Sequence, residues 1–142
     1  MKPESATTQG IHHLGLTVQN LDQTADFFMD MLGFKKVGEK PDYPAVFISD
    51  GHIMLTLWQV KYKSESIAFD RTMNIGLHHF ALNVKDEESL NQLYKKLSAA
   101  DNIKIEFAPE AVGAGPKRHM MITEPGGIRI EFIADSCGSV KK

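Results

Sequence analysis

His13, His79 and Glu131 are the residues of this sequence whose types and spacing could hold a divalent cation. His13 opens the stretch His13-Leu14-Gly15-Leu16-Thr17-Val18, and His79 opens its near-copy His79-Phe80-Ala81-Leu82-Asn83-Val84. The offset is 79 − 13 = 66 residues in a chain of 142. A later pair of stretches also matches: Leu55-Thr56-Leu57 against Ile130-Glu131-Phe132, so Thr56 and Glu131 are equivalent. Two neutral imidazoles and one carboxylate make a site for Zn, Ni, Mn or Fe with positions open to water and substrate. Such an ion polarises a substrate oxygen or stabilises an enediolate, and a water bound to it acts as a base. A lone strand histidine is more often structural. The same residue kept in both copies of a repeat is what favours a shared site.

The elements that must position these groups follow from periodicity. Ile11–Val18 alternates as a strand. Asn20 or Asp22 caps a helix running to about Leu32, with Leu21, Ala25, Phe28, Met29 and Leu32 on its apolar face and Gly33 ending it. Strands are expected at Phe34–Gly38, Ala45–Ser49 and Ile53–Val60, with Asp50-Gly51 as a hairpin turn. The second half repeats the plan: a strand at Leu77–Val84, a helix from Asp86 to about Ala99, then strands at Lys104–Phe107, Arg118–Thr123 and Ile128–Ala134. Glu124-Pro125-Gly126-Gly127 is the turn before the last of them. The fold class is therefore α+β, with two tandem βαβββ modules at 11–60 and 75–134. A polar connector at 61–74 joins them, residues 1–10 form a leader and 135–142 a tail.

Side-chain parity puts His13 and His79 on one face of their strands and sends His12 and His78 to the other, beside the helices. Met54 and Trp58 share the face of Thr56, Arg129 and Ile133 that of Glu131. Met54, Trp58 and Met121 face inward as candidate substrate contacts, joined by Phe47. His119 alternates with Met121 and is a candidate acid/base group; a histidine at the rim is the alternative. Gly113-Ala114-Gly115-Pro116-Lys117-Arg118 reads as a flexible loop whose two cations, Lys117 and Arg118, clamp an anionic substrate tail or are simply solvated.

At 42% apolar and 24% charged residues, with net charge −2, the composition is that of a globular domain with no electrostatic call for nucleic acid or an anionic membrane. No apolar run approaches the roughly 20 residues that span a bilayer. The ten leading residues lack a secretory apolar stretch. The one cysteine, Cys137, sits in a Ser/Gly/Lys tail, which fits a reducing cytoplasm and a solvated thiol better than a nucleophile.

The stretches His13–Val18, Phe27-Phe28 through Leu32-Gly33-Phe34, Gly76–Leu82 and Glu124–Phe132 together resemble the vicinal-oxygen-chelate superfamily. That group includes glyoxalase I, methylmalonyl-CoA epimerase, extradiol dioxygenases, fosfomycin-resistance transferases and bleomycin-binding proteins. The resemblance covers about residues 11–134. It implies half-open mixed-sheet barrels, one divalent metal per site and a homodimer, with modules pairing within or between chains. By position, the ligands would be His13, Thr56, His79 and Glu131. Thr56 departs from the pattern, because glyoxalase I and the epimerases place Glu or Gln there. Gln59 is close but of the wrong parity unless a bulge shifts the strand. A His/His/Glu set resembles the transferase and dioxygenase branches. The implied activity is a metal-dependent, glyoxalase-like lyase or isomerase, or a related transferase, on a small oxygenated substrate. The alternatives are an extradiol-type Fe(II) dioxygenase, with His119 as base, and a non-catalytic drug-binding protein.

Overall fold

Alternation of Leu14, Leu16 and Val18 with His13, Gly15 and Thr17 dictates a strand with one buried face, and the structure begins there. The computed structural model describes residues 1–135. Cys137 and the rest of the expected tail lie outside the described residues; Asp135 is the last residue of a strand. The chain divides into two compact units, Met1–Lys63 and residues 64 onward, so the boundary falls inside the polar connector.

The first unit runs β1 (His13–Val18), α1 (Leu21–Asp26), a π-helical turn (Phe27–Met31), β2 (Lys35–Lys40), β3 (Ala45–Ser49) and β4 (Met54–Gln59). Its sheet has the order β1-β4-β3-β2. β1 is parallel to β4, and the other pairs are antiparallel. Asn20 caps α1, its side chain accepting from Gln23 N–H at 3.0 Å. The helix reaches Leu32 as expected, but it is α-helical only to Asp26 and continues as the π turn. The π turn that follows buries Phe27 and Phe28. Phe28 contacts Phe34 edge-on, with ring centroids 5.2 Å apart. Gly33, at φ +79°, supplies the left-handed residue that releases the chain into β2. Leu16, Val18, Ile48, Leu55 and Leu57 are buried on the helix side of the sheet.

The second unit repeats this order with β5 (Phe80–Asn83), α2 (Glu87–Ser98), β6 (Lys104–Ala111), β7 (Lys117–Thr123) and β8 (Arg129–Asp135), in a sheet ordered β5-β8-β7-β6. Asp86 caps α2 through Ser89 N–H at 2.8 Å, and that bond holds its carboxyl below the ordinary value. Leu90 and Leu97 are buried with Met120, Ile122, Ile130, Phe132 and Ala134. β6 extends four residues beyond its expected end at Phe107. It passes through Pro109, which is tolerated because β6 is the outer strand of its sheet and the ladder shifts register on both sides of Phe107. The buried Glu124 accepts from Ile128 N–H at 3.0 Å and closes the turn that launches β8.

Both units therefore have the same βαβββ topology, and the fold is that of tandem modules. The ladders also fix the equivalence of the site positions. Gly15 pairs with Thr56 across β1–β4, and Ala81 pairs with Glu131 across β5–β8. Among the described residues, no helix is long and apolar enough to cross a membrane.

Candidate functional site

Glu131 stands at the centre of a polar cluster in the second unit. β8 sets it opposite Ala81 on one side and Met121 on the other, on the face turned away from α2's apolar partners. Its Oε1 lies 3.0 Å from His79 Nε2. Its Oε2 lies 2.6 Å from His119 Nδ1. His119 in turn has Glu110 at 4.0 Å from Nε2 and Phe107 at 4.9 Å between ring centroids. The carboxylate is 13% exposed and the two histidines 31% and 19%, so the cluster is half-dry yet reachable from solvent.

Behind His79 stands a second layer. His78 Nδ1 is 2.8 Å from His79 Nδ1. Arg129 Nη1 approaches His78 Nδ1 at 3.3 Å and donates to the His78 carbonyl at 3.2 Å. Arg129 Nε donates to both Glu106 oxygens at 3.1 and 3.0 Å, and Nη2 donates to one at 3.0 Å. Thr123 Oγ1 donates to Glu106 at 2.7 Å. Partial desolvation, assisted by the Arg129 charge, holds His78 below the ordinary histidine value. Glu106 is held below its ordinary value: desolvation pushes it up, but the bonds from Arg129 and Thr123 outweigh that.

The first unit carries a reduced version. His12 Nδ1 and His13 Nδ1 are 2.9 Å apart, repeating the histidine doublet. Both doublets depart from the parity expectation, with ring centroids 5.1 and 5.0 Å apart instead of on opposite faces. His12 precedes β1, and both His78 and His79 precede β5, so strand alternation does not govern them. Thr56 Oγ1 accepts from Trp58 Nε1 at 2.9 Å. Trp58 meets Tyr43 edge-on at 4.6 Å and Phe47 at 5.8 Å. Gly15 makes room for this: a Cβ there would stand 3.0 Å from Thr56 Oγ1. Met54 lies beside His13 in the ladder. Gln59 is occupied elsewhere, accepting from Leu21 N–H at 2.9 Å and donating to Gln19 O at 2.7 Å, which ties β4 to the start of α1.

Lys117 and Arg118 are not on a flexible loop. They open β7, where Lys117 pairs with Asp135 at 3.1 Å and Arg118 with Glu87 at 3.1 Å. Both cations thus have acidic partners supplied by distant parts of the chain. Sequence reasoning missed Arg129 and Glu106 as parts of the cluster. The available signal was the repeated doublet His12-His13 and His78-His79.

The donors present suit a divalent ion in part. Neighbouring ligands around an ion with bonds of about 2.1 Å and right angles are roughly 3.0 Å apart, the spacing of His79 Nε2 and Glu131 Oε1. Among the described residues no three His, Cys, Asp or Glu side chains already form a cation cage. His79 and Glu131 are the pair that could hold such an ion, with His119 beside the carboxylate.

Residues 10–132 match the glyoxalase/bleomycin resistance protein/dioxygenase superfamily. The chain belongs to that superfamily. Members of this glyoxalase-type family bind small molecules and typically use a divalent metal. The chain is 25% identical over 131 residues to a lactoylglutathione lyase of Neisseria meningitidis serogroup A, covering 89% of this chain and 91% of that one. It is 26% identical over 126 residues to the catechol-2,3-dioxygenase of Bacillus subtilis, covering 87% of this chain but 41% of that enzyme. Among solved structures, a glyoxylase/bleomycin resistance protein/dioxygenase domain from Frankia superposes with TM-score 0.76 at 20% identity, over 94% of this chain and 96% of the other. That likeness shows the fold.

Proposed function

We propose that the protein is a metal-dependent lyase or isomerase, or a related transferase, acting on a small oxygenated molecule. The observation that carries this reading is the approach of His79 Nε2 to Glu131 Oε1 at 3.0 Å, with His119 on the other carboxylate oxygen at 2.6 Å. His79 and Glu131 are the ligands proposed from this geometry. His13 is proposed as a third donor on the repeat. Thr56 is the weak fourth position, since its oxygen already accepts the Trp58 N–H. A divalent ion (Zn, Ni, Mn or Fe) would polarise neighbouring oxygens of the substrate.

The chain's own groups then have defined tasks. Glu131 carries the negative charge, and His119 Nδ1–H donates to its Oε2, holding the carboxylate in place. Nε2 of His119 is the group that can take or return a proton. Met54, Trp58 and Met121 are proposed as apolar substrate contacts, each on the donor-bearing face of its own sheet. With no carboxylate at Thr56, proton shuttling between two carbons by two acids on the repeat-related positions is unavailable. Chemistry with one proton transfer, as in addition to or elimination from an oxygenated carbon, fits better. Lys117 and Arg118, both ion-paired, are proposed only as rim contacts for an anionic substrate tail. A homodimer and a cytoplasmic setting belong to the same reading.

The alternative is an extradiol-type Fe(II) dioxygenase, favoured by His119 standing beside Glu131 as a base. Untagged protein reconstituted with each metal, then assayed for lyase, thiol-transfer and catechol-dependent oxygen uptake, separates the two. Oxygen uptake with Fe(II) and a catechol would replace the first reading with the second. Ligand binding with neither metal uptake nor turnover would leave a non-catalytic binding protein and sink both.

A further inference from the structure

We infer that Arg129, braced by Glu106, is a positioning residue that fixes the tautomer of the His78–His79 pair and leaves His79 Nε2 bare. Arg129 is buried, and its Nε and Nη2 are committed to the Glu106 carboxylate. That fork aims Nη1 at His78, 3.2 Å from its carbonyl and 3.3 Å from its Nδ1. A guanidinium has only donors and does not deprotonate. An N–H approaching His78 Nδ1 favours a lone pair on that nitrogen. The same nitrogen lies 2.8 Å from His79 Nδ1, a distance that requires one proton between them. That proton belongs to His79. A neutral imidazole has one N–H, so His79 Nε2 is left without one, facing Glu131 Oε1 at 3.0 Å. The competing arrangement has His79 Nε2–H donating to Glu131 Oε1 across the same 3.0 Å, and the Arg129 contact is what opposes it.

The repeat supplies the comparison within the same molecule. Thr56 and Glu131 are equivalent, an offset of 131 − 56 = 75, so the counterpart of Arg129 is residue 129 − 75 = 54, which is Met54. His12 and His13 make the same 2.9 Å contact with no cation at the counterpart position. Among the described residues only the second doublet has a buried arginine against it. On this inference His79 is the anchoring imidazole. Outer partners of this kind orient metal-binding imidazoles generally; the route here, through a second histidine to an arginine, is particular to this chain.

The functional meaning rests on the proposed metal site, but the tautomer is read without metal. Protein with ¹⁵N-labelled histidine is stripped of metal and recorded by long-range ¹H–¹⁵N NMR about two pH units above the ordinary histidine value. The expected spectrum shows His79 protonated at Nδ1 and unprotonated at Nε2, with His78 unprotonated at Nδ1. In R129M the lock is gone and His79 moves toward the Nε2–H form, which bonds Glu131. Zn2+ affinity, by competition with a chromophoric chelator, falls about 10- to 100-fold in R129M and in the same direction in E106Q. Nε2–H as the main neutral form of His79 in the unaltered protein overturns the inference, and that spectrum depends on no variant folding. Loss of affinity in R129M with an unchanged tautomer also overturns it, because general loosening would do that. The inferred tautomer in a protein that takes up no metal would sustain the positioning role and sink the metal reading.

Discussion

Replacing His119 by Phe isolates one hydrogen bond at the proposed site. Phe keeps a ring against Phe107, where the histidine ring now sits at 4.9 Å, but has no N–H to give Glu131 Oε2, now 2.6 Å away. A bond this short to a carboxylate is charge-assisted and contributes about 1.5–3 kcal/mol. If it serves to hold Glu131 in the orientation the ion needs, that energy appears in metal affinity, and 1.4 kcal/mol per factor of ten converts it to about 10- to 100-fold. Loss of an outer partner of a metal ligand typically costs the same. Zn2+ competition titrations on H119F and unaltered protein measure this directly, with thermal unfolding of the metal-free forms as control. Affinity unchanged within about twofold would refute the reasoning, since Glu131 would then be held without His119 or would not bind the ion.

Three further outcomes follow from the structure. Glu106 has its folded pKa held below its ordinary value of 4.5, so the stability it contributes is full above that pH and is lost as pH falls through the folded value. Denaturation against pH should show E106Q less stable than the unaltered protein at neutral pH, the gap narrowing below about pH 4.5 and closing in stronger acid; a gap independent of pH contradicts the ion pair with Arg129. G15A puts a Cβ 3.0 Å from Thr56 Oγ1 and displaces its bond to Trp58 Nε1, so the fluorescence of the single tryptophan should shift, with a cost of about 1 kcal/mol in urea unfolding. F28A empties a fully buried site between the π turn and Phe34 and should cost about 3–5 kcal/mol in the same assay.

Much of this architecture is written in short-range patterns. Period-two alternation in the strands, the Asn20 and Asp86 caps, and the repeat itself are local, and they are enough to put Thr56 and Glu131 at equivalent ladder positions. What was not legible depends on partners distant in the chain. The switch from α to π helix at Phe27 leaves no mark in the apolar spacing, which suits either type. β6 runs through Pro109 because it is the outer strand of its four-stranded sheet, a placement set by distant pairing. Lys117 and Arg118 read as loop charges because Asp135 and Glu87, which hold them, are 18 and 31 residues away. The histidine doublets misled for a simpler reason: parity applies inside a strand, and His78 and His79 lie just before one. Arg129 meets His78 across 51 residues, a contact that no spacing rule anticipates.

The central claim is that His79 and Glu131 bind one divalent ion. X-ray absorption on untagged protein, reconstituted with Zn2+ and compared with H79A and E131Q, tests it most directly. One tightly held ion per site is expected, bound by imidazole nitrogen and carboxylate oxygen, and it is lost in both variants. An ion bound equally well by H79A and E131Q, or no stoichiometric uptake of Zn, Ni, Mn or Fe, would contradict it.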